Sequence, residues 1–226
     1  MKKIFLVVFL MLFTILHAQK KERDTIIDDK VFIEGNNIEF NLDEVYLFKK
    51  LRFKNKKERN YYFWFWRKVH KAYPYALQTA KILNDIDENL KKIKSKRKKR
   101  KYIRKAQKYL KEEFSDQLKK LTRTEGKVLI KLIHRQTGKT VFNLIKKYRS
   151  GWKAFWYDST ARLFDLSLKK EYHPESNDFD FLIEDILQRA FSNETLTKQE
   201  AKNPVDYMDL SGKWKKIDII KVIDNR

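Results

Sequence analysis

Four histidines, His17, His70, His134 and His173, are the first side chains to test for chemistry. No two stand at the i, i+4 spacing that lets a helix present a ligand pair to zinc, and the chain has no cysteine to complete a soft-metal site. The residue pattern implies no metal and no other cofactor. His134, Asp158 and Ser159 have the residue types of a nucleophilic triad. Ser159 lies in YDSTA, whereas a hydrolase serine of that kind needs the strained Gly-x-Ser-x-Gly turn that lifts its hydroxyl clear. RQTGKT, residues 135–140, ends like a phosphate loop but lacks the glycine that opens one. It reads as a helix stop at Gly138 followed by a Thr140 cap. The acidic pairs Glu112-Glu113 and Glu184-Asp185 are neighbours on charge-rich helix faces. Adjacent helical residues do not face each other, so neither pair predicts acid–base work. A reaction would need a loop site of Arg135, Asp158 and Arg162, together with the 171–178 segment.

Two further clusters suit binding. KKIKSKRKKRK, residues 91–101, has nine basic residues in eleven. Lys96, Arg97, Lys98, Lys99, Arg100, Lys101 and Arg104 form a candidate anion-binding surface. Charges this dense repel one another, so an anion or nearby carboxylates should compensate; the alternative is a solvated loop and helix start with no dedicated ligand. YYFWFWRKVHKAYPYAL, residues 61–77, is the second cluster. Tyr62, Phe65, Trp66, Val69 and Tyr73 recur at steps of three and four and predict a core stripe. Phe63 and Trp64 point away from it, and Tyr75 shares the side of Trp64. These three are a candidate aromatic platform for a sugar ring or a membrane interface, unless the helix is buried on two sides.

The elements that must hold these residues are helical. Five Gly and three Pro in 226 residues argue against a turn-rich β protein. The aromatic stripe continues through Ala76, Ala80 and Leu83, with a kink or break expected at Pro74. Further helices are expected over 97–121, 126–138, 140–148, 152–168 and 181–191, the last capped by Asp178 or Asp180. VFIEGNNIEFNLDEVYLF, residues 31–48, favours short strands about Gly35-Asn36-Asn37. The expected fold is therefore mainly α, a compact multi-helix domain with a short N-terminal β-hairpin or edge strands. Its parts are a leader (1–18), a flexible or β segment (19–41), the helical domain (42–192) and a polar, peripheral tail (193–226) in which IDIIKVID could form a late strand.

MKKIFLVVFLMLFTILHA sets two lysines before an uninterrupted apolar run, Ile4 to Leu16, and ends on a small residue. That is the layout of a secretory signal peptide cleaved near Ala18, and the run is short for a membrane span of about 20 residues. Without cysteine the chain cannot be a lipoprotein or form disulfides. Loss of Lys2 and Lys3 takes the formal charge from +22 to +20. A charge of that size draws the protein to polyanions.

The stretches EGKVLIKLIHRQTGKT, YRSGWKAFWYDSTARLF and LKKEYHP, with HKAYPYA and LKEEFSDQLKKLT upstream, resemble a family of exported proteins of Bacteroidota-type bacteria. It is known as domain of unknown function 4294. The resemblance runs from about Leu42 to Phe191 and implies an exported, mainly helical protein of unassigned activity. The family pattern carries acids where this chain has His134, Gln136 and His173, which speaks against a shared mechanism resting on those acids. The resulting expectation is an exported, non-enzymatic binding or scaffold protein, periplasmic or peripherally associated with the envelope. Its partner would be an anionic envelope component (lipopolysaccharide, anionic lipid or peptidoglycan) or an envelope protein. The alternatives are a periplasmic hydrolase of envelope glycan or peptide, and a nucleic-acid-binding protein if the leader is not an export signal.

Overall fold

The computed structural model describes residues 25–27, 30–33, 36–39, 48–148 and 167–224. Asn55 ends an extended approach and starts the longest element. Its side-chain oxygen accepts from the Glu58 amide at 2.8 Å, satisfying one free donor of the first helical turn. Helix α1, Lys56–Lys92, then runs 37 residues and is not broken at Pro74. Pro74 has no N–H to offer the carbonyl one turn back. Tyr73 and Ala76 beside it are buried, and that packing holds the helix through the defect.

Helix α2, Lys96–Lys119, is capped by Ser95. Helix α3, Arg123–Thr137, opens on a reciprocal capping box: the Glu125 amide donates to Thr122 Oγ1, and the Thr122 amide to Glu125 Oε2 at 2.7 Å. It stops at Gly138, whose φ of 66° suits glycine, and the Gly138 amide closes on the His134 carbonyl at 2.8 Å. Helix α4, Val141–Tyr148, starts on Thr140, whose hydroxyl accepts from the Asn143 amide. Helix α5, Asp178–Ser192, is capped by Asn177, which accepts from the amides of Phe179 and Asp180. The cap is thus neither Asp178 nor Asp180; both lie inside the first turn, where their charge suits the positive end of the helix. Helix α6, Tyr207–Leu210, a 3-10 turn, Ser211–Lys215, and helix α7, Ile219–Asp224, follow.

The main packing is α1 on α3, with α5 and α7 also against α1. Phe65, Val69, Leu132, Ile133, Phe181 and Ile186 are fully buried at its centre. No helix among the described residues is long and apolar enough to cross a membrane.

Two expectations are corrected. The helical domain carries no β-hairpin and no edge strand: its described residues, 48–148 and 167–224, are helix and turn without strand or sheet. The apolar stripe of α1 is already covered by α3, α5 and α7, so no sheet is needed to close the core. Residues 1–47 are a separate unit, in which Thr25–Ile27, Lys30–Ile33 and Asn36–Glu39 pair antiparallel in chain order. The tail beyond 192 is core rather than periphery. Tyr207, Leu210, Ile217, Ile219 and Ile223 are buried, and IDIIKVID forms α7 instead of a strand. Ile219 and Ile223 stand four apart, on one helical face, and that pair outweighs the local β propensity. Of the helix expected over 152–168, residues 152–166 lie outside the described residues, and Ser167 and Leu168 at its end are not helical.

Ile219→Ala should lower the unfolding free energy by about 2–5 kcal/mol in urea denaturation, the cost of a buried aliphatic cavity. A merely draped tail would lose under about 0.5 kcal/mol.

Candidate functional site

The most buried charges stand on α5. Asp180, Glu184 and Asp185 are each 0% exposed. A carboxylate out of water is costly unless donors surround it, and each receives donors from elsewhere in the chain. Arg135 of α3 grips Glu184 in a two-pronged pair, Nε to Oε2 at 2.8 Å and Nη2 to Oε1 at 2.9 Å. The Tyr172 hydroxyl adds 2.6 Å and Gln188 Nε2 adds 2.7 Å. Burial alone would raise the pKa of Glu184; Arg135, Tyr172 and Gln188 together hold it below the ordinary value. Asp185 accepts from the Tyr62 hydroxyl at 3.2 Å, Trp214 Nε1 at 2.8 Å, Arg189 and the Tyr207 hydroxyl. Asp180 accepts from Lys131 Nζ at 2.7 Å and from the His173 amide at 2.9 Å, while its other oxygen has no donor. Its pKa is accordingly raised by burial.

A histidine pair borders this network. His134 is buried and its Nδ1 accepts from the Tyr172 amide at 3.1 Å. His173 is exposed between Glu171 at 2.9 Å and Glu175 at 3.1 Å, with the two imidazole centroids 6.0 Å apart. Burial holds His134 below its usual value, whereas the hydrogen bond to Glu171 raises His173. Among the described residues no group of three or more His, Asp or Glu is placed to hold a metal ion.

The basic run forms the opposite kind of surface. The last buried residue of α1 is Ile86 and the first of α2 is Leu110, with none buried between them. From Lys91 to Lys111 the chain has thirteen Lys and Arg and no acid. Lys96, Arg97, Lys98, Arg100, Lys101 and Arg104 are exposed and Lys99 is half-buried. Among the described residues none of these seven side chains has an ion-pair partner. Of the flanking carboxylates, Asp87 is taken up by Lys147 and Tyr148, and Glu112 by Lys108. The first turn of α2 has no acid, so cations crowd the helix end where the dipole disfavours them.

The aromatic residues divide. Asn60, Tyr61, Phe63, Trp64 and Arg67 line an open groove of about 680 Å³ along α1. Phe63 is 41% exposed, and Arg59 sits 5.9 Å from its ring centre. Lys57 is 5.9 Å from the Tyr61 ring and Lys68 5.5 Å from the Trp64 ring. Tyr75 is half-buried against the core and does not line the groove, which corrects its place in the platform. Eleven residues separate it from Trp64, about three helical turns.

Arg135 is 3% exposed inside α3 and taken up by Glu184, so the expected loop site loses its first member. Asp158 and Arg162 lie outside the described residues. The residues sequence reading missed are the carboxylates of α5. Glu184 and Asp185 were expected on a charge-rich face, but they stand in DFDFLIEDILQRAFS, where apolar residues surround them on every side. That all-round apolar character was the available sign of a helix buried on several faces.

Arg135→Met should cost about 3–5 kcal/mol in denaturant unfolding by leaving Glu184 charged and unpaired in the core. The double change Arg135→Met with Glu184→Leu should recover more than half of that loss. If the double loses as much as both singles added, the pair is not the unit described. The histidines act on stability in opposite senses. His134 favours the neutral form, so its contribution is present above the usual value of 6.5 and is lost as pH falls from there towards its lower folded pKa. His173 favours the charged form, so its contribution is present below 6.5 and is lost as pH rises through its higher folded pKa. Lys131, Glu171, Glu175 and Asp180 are the charged groups around the pair. Titration of the two imidazoles by NMR should place the midpoints on opposite sides of 6.5, and coincident midpoints would contradict these environments.

No curated protein and no solved structure matches the chain. Over residues 36–189, which span α1 to α4 and most of α5, the sequence matches the family described as domain of unknown function DUF4294, and the chain belongs to that family.

Proposed function

We propose that the protein is exported and works at the cell envelope as a non-enzymatic binding or scaffold protein, attached to an anionic envelope component through the basic arm formed by the end of α1 and the start of α2. The observation that carries this reading is the set of seven cations, Lys96 to Lys101 and Arg104, without a carboxylate partner. Their placement lowers the stability of the helix end they occupy, and beyond the Ser95 cap no described ion pair offsets it. An external polyanion would. A lysine or arginine near an anionic lipid surface contributes about 1 kcal/mol, so three or four engaged residues give an association constant raised by roughly a hundredfold or more. The signal-like leader directs the choice towards lipopolysaccharide phosphates, anionic lipid headgroups or peptidoglycan carboxylates. A hydrolase draws less support, because Arg135 is held by Glu184 inside the core.

Cell fractionation with sequencing of the mature N-terminus tests export; an uncleaved cytoplasmic protein would turn the arm towards nucleic acid. Sedimentation with phosphatidylglycerol vesicles, lipopolysaccharide or sacculi tests the arm. Association should be strong at low salt and fall steeply as ionic strength shortens the screening length. Replacing Lys96, Arg97, Lys98, Arg100, Lys101 and Arg104 by Gln should abolish it without lowering Tm. Absence of association with all three at low salt would sink the proposal.

A further inference from the structure

We propose that the groove on the outward face of α1 is a second binding site, specific for a glycan whose sugar units carry a carboxylate. Its polar and aromatic parts are the ones such a ligand requires. Tyr61, Phe63 and Trp64 put three aromatic rings along one groove. The ring faces of aromatic side chains stack on the apolar faces of pyranose rings and leave the hydroxyls at the rim. Asn60 brings an amide that both donates and accepts, which suits hydroxyl and acetamido groups. Arg67 supplies the charge selection. It is exposed, and among the described residues it has no ion pair or hydrogen bond.

That condition sets Arg67 apart from the two arginines packed onto α5. Arg135 and Arg189 each hold a buried carboxylate. Arg67 has the same planar fork of donors, which matches a carboxylate with two parallel hydrogen bonds, and it lies open beside the rings. Arg59 and Lys57 lie over the rings of Phe63 and Tyr61, Lys68 beside Trp64 is paired with Glu125, and no carboxylate is among the described residues that line the groove. From Asn60 to Arg67 the helix rises about 10 Å, on the order of a disaccharide.

A single-stranded nucleic acid also stacks bases on aromatic rings, but it brings a phosphate with every base and calls for cations strung along the strand. Arg67 is the single cation among the described residues that line the groove, set beside three rings, which fits one carboxylate per repeating unit. Only the source of the ligand rests on the export reading; the chemistry of the groove does not.

The arm is itself an anion-binding surface, so the test uses the full chain with Lys96, Arg97, Lys98, Arg100, Lys101 and Arg104 replaced by Gln. Failure at the arm and failure at the groove are then read separately. Calorimetric titration with an oligogalacturonate should give saturable binding. Its methyl ester, the same sugar without the charge, should bind at least tenfold more weakly. Arg67→Gln should abolish the preference for the acid over the ester, and Phe63→Ala should weaken both ligands at least tenfold. Arg67 is exposed with no partner among the described residues, so Arg67→Gln should leave Tm unchanged; Phe63 also packs on Tyr62 and Phe53, so Phe63→Ala is titrated well below its own Tm. Phe142→Ala, an exposed aromatic on α4, serves as the control and should leave affinity unaltered. No binding of the uronate, equal affinity for acid and ester, indifference to Arg67→Gln and Phe63→Ala, or tighter binding of an oligothymidylate would each overturn the proposal.

Discussion

Three carboxylates without access to water, Asp180, Glu184 and Asp185, sit within six residues of one helix. An isolated buried charge costs several kcal/mol, so α5 cannot fold alone or against an apolar surface. The arrangement of the other elements follows from that requirement. Arg135 must come from α3, Tyr172 from the connection before α5, and Tyr62 from α1. Trp214 and Tyr207 must come from beyond residue 192. The tail is pinned at two more points, where Tyr73 donates to the Thr197 carbonyl and the Lys202 amide donates to the Arg135 carbonyl. A segment that reads as a polar tail thus becomes obligatory, because it supplies the donors that the α5 carboxylates lack.

The same molecule treats charge in opposite ways at its centre and on the arm. Inside, a guanidinium meets a carboxylate with two hydrogen bonds, and tyrosine and glutamine satisfy the remaining lone pairs. Outside, from Lys96 to Arg104, positive charge accumulates on side chains that have no ion-pair partner among the described residues. Stability cannot explain the second pattern, since the helix dipole and mutual repulsion both act against it. Departures from local consistency concentrate where a chain does something other than fold. The core satisfies its buried charges within the chain, whereas the arm's cations have no ion-pair partner among the described residues, which is the basis of the proposed binding role.

What could be read in advance follows the range of the forces involved. Gly138 and Thr140 announced a helix end and a helix start, because capping is decided within four residues. The stripe Tyr62, Phe65, Val69 and Tyr73 announced a buried face, because helical period is also local. The long helix survives Pro74 through tertiary packing, which no local rule reports. Glu184 and Asp185 were legible as a pair but not as buried, since their partners lie at 135 and 172 in one case and at 62, 207 and 214 in the other. Nothing local about Gly35 could say that the helical domain closes its core without strands. Arg135 looks available in sequence for the same reason: its counter-ion is 49 residues away.

Helix α1 connects these observations. Its inward face is core, its outward face near the start carries the aromatic groove, and its far end runs into the basic arm. From Arg67 to Lys91 the helix rises about 36 Å, well beyond a screening length of about 8 Å at physiological salt. If both proposals hold, the groove and the arm are therefore electrostatically independent sites on one continuous helix. A continuous helix fixes their separation as a flexible linker would not, and Pro74 between them is tolerated because the core holds it on both sides. Two anion-seeking surfaces at fixed spacing can hold a repeating polymer and a charged surface together with a combined affinity beyond either alone, provided both can be reached at once. The unbroken α1 is what makes that geometry available, and the buried carboxylates of α5, through Tyr62, help to hold α1 in place.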